Sequence, residues 1–265
     1  MDSLRVIGPG RAGLSLARAL SSVGYPLVDV LGHDDSLAHA AHGVDVLVIA
    51  TPDDAVATVA DEVAPSEHCV VVHLAASLGL DVLGSHVRRA SLHPLVPLPN
   101  AEIGSARLLG GIGFAVAGDP AARRMALAMG GRPFTVADAD RPAYHAAACI
   151  AANHVVALLG QVERIAASAG LELDAFLALT RAAVDDVAEL GPQAALTGPA
   201  ARGDWRTLER HHQALAPDER PGYHAGAALA HRLAAQPGRP NSAAPRPEGA
   251  VPAPEEACSV VAGMR

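Results

Sequence analysis

The sequence predicts an α/β fold in which an N-terminal Rossmann-type parallel sheet is followed by an all-helical C-terminal domain. Three observations predict it. A glycine-rich turn joins a strand to a helix near the N-terminus, short apolar segments followed by turns recur up to about residue 137, and only helical periodicity continues from residue 138. Half of the residues are hydrophobic but only 3% are aromatic, so the core must consist mainly of Ala, Val and Leu.

The glycine-rich turn is the first element. Apolar residues run up to Ile7 and then recur at helical spacing from residue 14 to 20. Gly8, Gly10 and Gly13 lie between them in the pattern G-x-G-x-x-G, which brings backbone N–H groups and a helix N-terminus against a pyrophosphate. The alternative is a turn that uses glycine only for backbone freedom. The candidate cofactor-binding residues are Gly8, Pro9, Gly10, Arg11, Ala12 and Gly13.

The second strand, predicted over residues 27–31, precedes the position where a dinucleotide fold places an acidic residue for the adenosine ribose. Asp34 or Asp35 could hold the ribose hydroxyls and favour NAD, and Asp34 is the candidate site residue. His33 is a poor substitute for the arginine that meets a 2′-phosphate. Both NAD and NADP remain open as the cofactor. Residues 36–43 are too few for a full helix and an extra strand, so we expect an abbreviated adenine side.

A nearly uninterrupted apolar run, residues 44–50, predicts a strand that is buried on both faces. It ends in Thr51, Pro52 and Asp53, before a predicted helix over residues 55–63. Thr51 or Asp53 could cap this helix, and Pro52 suits its first turn. Loops at the carboxyl ends of parallel strands line the ligand crevice, so all three residues are candidate cofactor contacts. The alternative is a capped helix start without a ligand.

Two predicted strands, residues 69–73 and 90–92, are each associated with a histidine at their carboxyl end. His93 is the stronger candidate, because Pro94 favours an extended conformation there and a long loop over residues 96–113 is predicted to follow. A histidine at this place could donate a proton or a hydrogen bond to a substrate oxygen. A histidine that merely satisfies a loop carbonyl is the alternative.

A long helix is predicted from about residue 141 to 169. At 100° per residue, His145, Cys149 and Asn153 share one stripe, while His154 lies nearly opposite His145. His145 and Asn153 are therefore the pair we place at the crevice. A helix–helix hydrogen bond is the alternative for Asn153, because a buried amide needs partners.

Arg202 lies in a stretch with two Gly-Pro pairs that follows a second predicted helix, residues 173–189. Its guanidinium could clamp a substrate carboxylate with two hydrogen bonds. Pairing with Asp204, or capping a helix, are the alternatives. Closing helices are predicted over residues 205–215 and 223–235.

Composition excludes several classes of function. The net charge of −8 and the absence of a basic run argue against nucleic acid or an anionic membrane as partner. All twenty basic residues are arginines, which removes every mechanism that needs a lysine. Three scattered cysteines indicate neither a disulfide framework nor a metal site, and they fit a reducing cytoplasm. We expect that the sequence leaves no room for a signal peptide and contains no apolar run long enough to span a bilayer.

Five sequence blocks resemble a known family. Two are shared with many reductases, and three are more specific. The blocks are residues 8–13, residues 50–53, Ser91-Leu92-His93-Pro94-Leu95, Tyr144-His145-Ala146-Ala147-Ala148 with Asn153-His154, and Ala195-Leu196-Thr197-Gly198-Pro199 with Arg202-Gly203-Asp204. Over residues 4–235 the chain resembles Rossmann-like proteins with the C-terminal domain of unknown function 2520. These are distant relatives of pyrroline-5-carboxylate reductase and of the 6-phosphogluconate and ketopantoate dehydrogenases.

The resemblance implies three parts: an NAD(P)-binding domain over residues 1–137, a helical substrate and dimerisation domain over 138–235, and a cleft between them. The composition of residues 236–265 predicts a disordered tail. Homodimerisation through the helical domain is expected. The family usually has a Ser-Gly pair after the position of His73, where this chain has Leu74, Ala75 and Ala76. Related dehydrogenases have a lysine where Cys149 stands.

These observations favour an NAD(P)H-dependent oxidoreductase that reduces a small carbonyl substrate, with a 2-keto acid such as ketopantoate as the best guess. His93 or His145 is the candidate acid, Asn153 the hydrogen-bond donor to the substrate oxygen and Arg202 the carboxylate anchor. No metal site is expected. The alternatives are a dinucleotide-binding regulatory protein without catalysis, an imine reductase of the pyrroline-5-carboxylate type, and a purely structural dimer.

Overall fold

The structure, a computed structural model, describes residues 1–236 and divides into two compact units, Met1–Asn153 and the residues from His154 onward. The first unit extends past residue 137, where the sequence placed a domain boundary. It does so because residues 141–149 are tied to the sheet by side-chain hydrogen bonds. The predicted disordered tail, apart from Gln236, lies outside the described residues.

The first unit contains a seven-stranded sheet in the order β2-β1-β3-β4-β5-β6-β7. Neighbouring strands are parallel except for β5 and β6, which are antiparallel. The predicted fold class is therefore confirmed, with one antiparallel pair in a mostly parallel sheet. The strands are β1 (Leu4–Ile7), β2 (Leu27–Leu31), β3 (Val46–Ile49), β4 (Val70–His73), β5 (Arg88–Pro94), β6 (Gly113–Gly118) and β7 (Arg132–Thr135).

Both faces of the sheet are covered, which explains the continuous apolar runs of its central strands. Every residue of β3 and β4 is buried. Alternate residues of β3 enter two different cores: Val46 and Val48 join the core that contains Leu16 and Leu20, whereas Leu47 and Ile49 join the other. The helices of this unit are α1 (Arg11–Ser22), α2 (Val56–Glu62), α3 (Ala101–Leu108), α4 (Pro120–Ala128) and α5 (Arg141–Cys149).

The expectation of a continuous loop over residues 96–113 is wrong, because α3 lies inside it. Asn100 caps this helix by accepting a 2.8 Å hydrogen bond from the backbone N–H of Ile103. The helix also packs closely on α1: a Cβ added to Gly104 would overlap the hydroxyl of Ser15. An asparagine cap before a helical segment was the sequence signal for this element.

The connection between β2 and β3 is short, as predicted, and residues 36–43 form turns rather than a helix. Ala40 and Ala41 are buried in the second core. The Arg5 guanidinium, which pairs with Asp29, also donates a 2.7 Å hydrogen bond to the Ala40 carbonyl. Two buried alanines and one arginine therefore hold this short connection against the sheet.

The predicted long helix is interrupted: α5 is followed by a π-helical turn, Ile150–His154, before the next helix starts. A π-helical turn has a different angular spacing, so the assumed 100° per residue does not hold through Asn153. The second unit then consists of helices. They are α6 (Val155–Ser168), α7 (Asp174–Leu190), α8 (Pro192–Ala195), α9 (Pro199–Arg202), α10 (Trp205–Ala214) and α11 (Arg220–Ala234).

One helical run in residues 1–236, Asp138–Ser168, is long and apolar enough to cross a membrane by length and composition alone. It has 31 residues, and an 18-residue window within it has a mean hydropathy of 1.3. This corrects the expectation that no apolar run reaches such a length. The run also carries the Arg141 guanidinium, which is buried in the first unit, and Arg164, which pairs with Glu219 in the second.

Candidate functional site

Two glycines of the turn between β1 and α1 are required by the fold itself. Gly8 has φ = +105°, and a Cβ there would lie 2.8 Å from the Ala50 carbonyl oxygen. A Cβ on Gly13 would overlap the carbonyl oxygen of Gly8 and lie 3.1 Å from the Ala50 side chain. These positions let α1 start directly against β1 and β3, so packing accounts for both glycines.

Gly10 is different, because nothing in the fold requires it to be glycine. Its φ of −75° suits any residue, and an added Cβ would meet no atom within 4 Å. It is the N-cap of α1, makes no side-chain cap, and no acidic residue stands in the first turn. A ligand that must approach the backbone closely is a reason for a glycine there, and a pyrophosphate fits the uncapped helix N-terminus. The neighbouring Pro9 and Arg11 are exposed and Ala12 is half-buried.

The end of β2 lies beside this turn, as a dinucleotide pocket requires. The backbone N–H of Gly8 donates to the Leu31 carbonyl at 2.9 Å. A Cβ on Gly32 would lie 3.7 Å from the Pro9 ring. The Asp35 carboxylate accepts a 2.7 Å hydrogen bond from the Gly32 N–H, and Asp34 is exposed next to it. An acidic loop therefore borders the place where an adenosine ribose is expected.

Helix capping by Thr51 or Asp53 is not what the structure shows. A short 3-10 turn, Asp53–Ala55, follows Pro52, and neither this turn nor α2 has a side-chain cap. The Asp53 carboxylate instead accepts a 3.0 Å hydrogen bond from the Ser77 hydroxyl, which ties the loop after β3 to the loop after β4. The Thr51 hydroxyl is buried and has no hydrogen-bond partner among the described residues.

His93 and Tyr144 form a hydrogen-bonded pair between β5 and α5. The Tyr144 hydroxyl lies 2.6 Å from His93 Nδ1, and the rings meet edge to face at 5.5 Å. Burial, followed by the neighbouring His145, lowers the pKa of His93 to about 4. His93 is therefore neutral at pH 7, and burial raises the pKa of Tyr144, so both groups are uncharged. In the tautomer with the ring proton on Nε2, the tyrosine donates and Nδ1 accepts.

The structure brings the two predicted histidines together. The ring centres of His93 and His145 are 6.5 Å apart. His145 Nε2 lies 3.6 Å from the Cys149 sulfur, and its buried Nδ1 has no hydrogen-bond partner within residues 1–236. Sequence reasoning missed Tyr144 as a functional residue, although it stands next to His145 in the block that carries the family resemblance.

His73, the histidine that the sequence analysis ranked below His93, was not among the predicted catalytic residues. It ends β4, opposite Ser91 of β5, and is fully buried. The backbone of Gly79 faces its ring, but neither ring nitrogen has a partner at hydrogen-bond distance in the described part of the chain. Burial, followed by the Arg141 charge, lowers the pKa of His73 to about 4. Buried polar atoms without partners are typical of sites that complete their hydrogen bonds with a ligand or water.

The other two predicted catalytic residues are Asn153 and Arg202. Asn153 is exposed at the end of the first unit, and Arg202 is exposed at the end of α9 in the second. The Asp204 carboxylate accepts from the Thr207 N–H at 3.1 Å, so it caps α10. The roles of Asn153 and Arg202 stay predictions. Within residues 1–236, no group of three or more His, Cys, Asp or Glu side chains could hold a metal.

The two low-pKa histidines make a prediction for stability in acid. The ordinary pKa of a histidine is 6.5, and that of His73 and His93 in the folded protein is about 4. Between these pH values the two rings are protonated in the unfolded chain but neutral in the native state. As the pH falls from 6.5 to about 4, the free energy of unfolding should decrease by about 1.4 kcal/mol per pH unit for each ring. Denaturant titrations of His73→Leu should give a slope of unfolding free energy against pH that is smaller by the contribution of one ring. The exposed His33→Asn variant should have the same slope as the wild type. An unchanged slope in His73→Leu would contradict the buried neutral ring.

Comparisons with known proteins agree with this architecture. Residues 113–230, from the start of β6 into α11, match the family described as Domain of unknown function (DUF2520). No curated protein matches the sequence. The predicted family resemblance is confirmed.

Solved structures extend the likeness to most of the chain. A protein from Bacteroides fragilis provisionally named an NADP oxidoreductase has a TM-score of 0.74 at 19% identity, over 87% of this chain and 98% of that one. The reductive aminase from Aspergillus terreus with NADPH has a TM-score of 0.65 at 15% identity, over 88% of this chain and 93% of that one. Plasmodium falciparum pyrroline carboxylate reductase with NADP bound has a TM-score of 0.57 at 12% identity, over 88% of this chain and 98% of that one. At these identities the likeness establishes the fold.

Proposed function

We propose that this chain, which carries a DUF2520 domain over residues 113–230, is an NAD(P)H-dependent reductase of a small carbonyl compound. A 2-keto acid such as ketopantoate is the first candidate substrate. The observation that carries the proposal is Gly10, a glycine that neither its backbone angles nor its packing requires, at the uncapped start of α1. The structural neighbours crystallised with NADP or NADPH support the choice of cofactor.

The turn and its surroundings fit a nicotinamide dinucleotide in three places. Gly10 and the first N–H groups of α1 would hold the pyrophosphate, and the acidic loop with Asp34 and Asp35 would border the adenosine ribose. The loops after β3 and β4, joined by Asp53 and Ser77, lie at the carboxyl edge of the sheet. This edge is where open parallel sheets bind ligands.

The paired side chains His93 and Tyr144 would then supply the proton. A bound reduced nicotinamide supplies the hydride. With Nδ1 accepting from Tyr144, the Nε2–H of His93 can donate to a substrate oxygen and stabilise the negative charge that develops there. As this proton moves to the oxygen, the Tyr144 hydroxyl can pass its own proton to Nδ1 and recover it from solvent. The neutral product alcohol results.

Two measurements test the proposed function. Titration of the protein with NADH and with NADPH, followed by nicotinamide fluorescence, should show saturable binding. The saturated protein should then oxidise the cofactor with at least one member of a panel of 2-keto acids and cyclic imines. Binding without turnover would favour a regulatory protein, and turnover only with imines would favour an imine reductase. No saturable binding would contradict the proposal altogether.

A homodimer through the helical unit belongs to the same proposal. Not one residue of α7 is buried in the single chain, and large apolar side chains are exposed on it, such as Leu179 at 69% and Val187 at 44%. On α6, Val156 is 70% exposed. Exposed apolar side chains that share a helix are typical of subunit interfaces. A second copy of the chain is the partner that we propose for this surface.

The dimer has a direct test. We expect light scattering to give twice the chain mass for the wild type, and the single chain mass for the double variant Leu179→Asp, Val187→Asp, because charges would be buried at the interface. Arg181→Asp is the matched control, since residue 181 lies about 200° around the helix from residue 179. A wild-type monomer at micromolar concentration would exclude this interface.

A further inference from the structure

Arg141, the first residue of α5, is a charged side chain without contact to solvent. Its side chain is 1% exposed. Nε donates to the Asp138 carboxylate at 2.8 Å, Nη2 donates to the Ser91 hydroxyl at 2.7 Å, and Nη1 has no partner in the described residues. Burying a guanidinium is costly even when it is paired, so this position needs an explanation beyond helix stability.

The hydrogen bond between Arg141 and Ser91 joins the same two elements, α5 and β5, as the hydrogen bond between Tyr144 and His93. Tyr144 follows Arg141 by three residues on α5, nearly one helical turn, and so lies on the same side of the helix. His93 follows Ser91 by two residues on β5, and so points to the same face of the sheet. Two hydrogen bonds at matching spacing therefore join α5 to β5, one of them buried.

The charge of Arg141 also acts on both low-pKa histidines. It is the second cause, after burial, of the lowered pKa of His73, and it contributes to that of His93 behind burial and His145. The charged and titratable groups that face His93 are Tyr144, His145 and Arg141 from α5, His73 from β4, and Asp53 from the turn after β3. Only Asp53 among these favours the protonated ring.

We propose that Arg141 is a positioning residue of the candidate active site. Its hydrogen bond to Ser91 holds α5 in register with β5, which places the Tyr144 hydroxyl at Nδ1 of His93, and its buried charge adds to the burial that disfavours the protonated ring. This inference rests on the proposed function, in which the His93–Tyr144 pair delivers a proton. It assigns to Arg141 a role that the sequence pattern did not indicate.

The test separates the charge of Arg141 from its hydrogen bond. The ring protons of His73 and His93 are followed by NMR as a function of pH in the protein without cofactor or substrate. Arg141→Gln should move both midpoints up toward the ordinary value of 6.5, because a repelling charge is removed. Ser91→Ala keeps the charge, so both midpoints should stay near 4, while kcat falls about tenfold through lost register.

A third and a fourth variant cover the case in which Arg141→Gln does not fold. Arg141→Lys retains the charge and should keep the low midpoints, with part of the activity of the wild type. Asp138→Asn removes an exposed carboxylate that favours the protonated His73, so its midpoint should move down. A raised His73 midpoint in Arg141→Lys that is absent from Asp138→Asn, or equal midpoints in folded Arg141→Gln and wild type, would overturn the role of Arg141.

The two proposals fail in different experiments. The ring titrations need neither cofactor nor substrate, so their failure would remove Arg141 from the site and leave the reductase proposal intact. A substrate panel without turnover, together with shifted midpoints in Arg141→Gln, would confirm the electrostatic effect but overturn its catalytic purpose.

Discussion

Replacing Gly10 by valine is expected to weaken the binding of NADH and NADPH by about a hundredfold or more while the fold is retained. The backbone of Gly10 already has angles that valine adopts, and its Cβ would point into open space. That space is the place where the pyrophosphate would approach the first N–H groups of α1. Two or three charge-assisted hydrogen bonds of about 1.5–3 kcal/mol each depend on this approach, and a hundredfold loss is about 2.7 kcal/mol.

Two other glycines serve as matched controls. Gly13→Ala should lose about 1–3 kcal/mol of unfolding free energy or fail to fold, because its Cβ would overlap the Gly8 carbonyl. Gly226→Ala, inside α11 and with nothing within 4 Å of an added Cβ, should leave both binding and fold intact. Fluorescence titration and denaturant unfolding measure the two effects separately. If Gly10→Val binds the cofactors as the wild type does, the pyrophosphate does not lie against this turn.

Removing the imidazole of His93 is expected to lower kcat by about 100- to 10,000-fold on the substrate that the panel identifies, which is the usual contribution of a positioned proton donor. Tyr144→Phe, which removes only the hydroxyl at Nδ1, should cost about tenfold. Because the two side chains form one hydrogen-bonded unit, the double variant should be about as slow as His93→Ala alone rather than show the product of both effects.

The same pair fixes the pH dependence of the reaction. The pKa of His93 lies near 4, so the neutral acceptor form prevails above that value, and activity should fall as the pH drops through about 4. His39→Ala, an exposed histidine, is the control and should keep wild-type turnover and the same acid limb. Multiplying effects in the double variant, or His93→Ala with half of the wild-type activity, would exclude the pair from proton transfer.

Much of the fold and part of the candidate site were predictable because they depend on local patterns. The glycine spacing predicted the strand, turn and helix, because a side chain at Gly8 or Gly13 would collide with the neighbouring backbone of this turn. The apolar runs predicted the central strands, and β2 has the predicted bounds. Helix α3 was missed because its hydrophobic periodicity is weak and its start depends on the Asn100 cap.

The sequence by itself determined the α/β class and the dinucleotide-type turn, and it put forward His93 and His145 as candidates, because residue spacing along a strand or helix sets which backbone groups and side chains can act together. Only the tertiary structure decided that Tyr144 pairs with His93, that Arg141 is buried beside Ser91 and that His73 is neutral. These contacts join residues about fifty positions apart, and burial changes their protonation. Neither distance in space nor loss of water can be read from spacing along the chain.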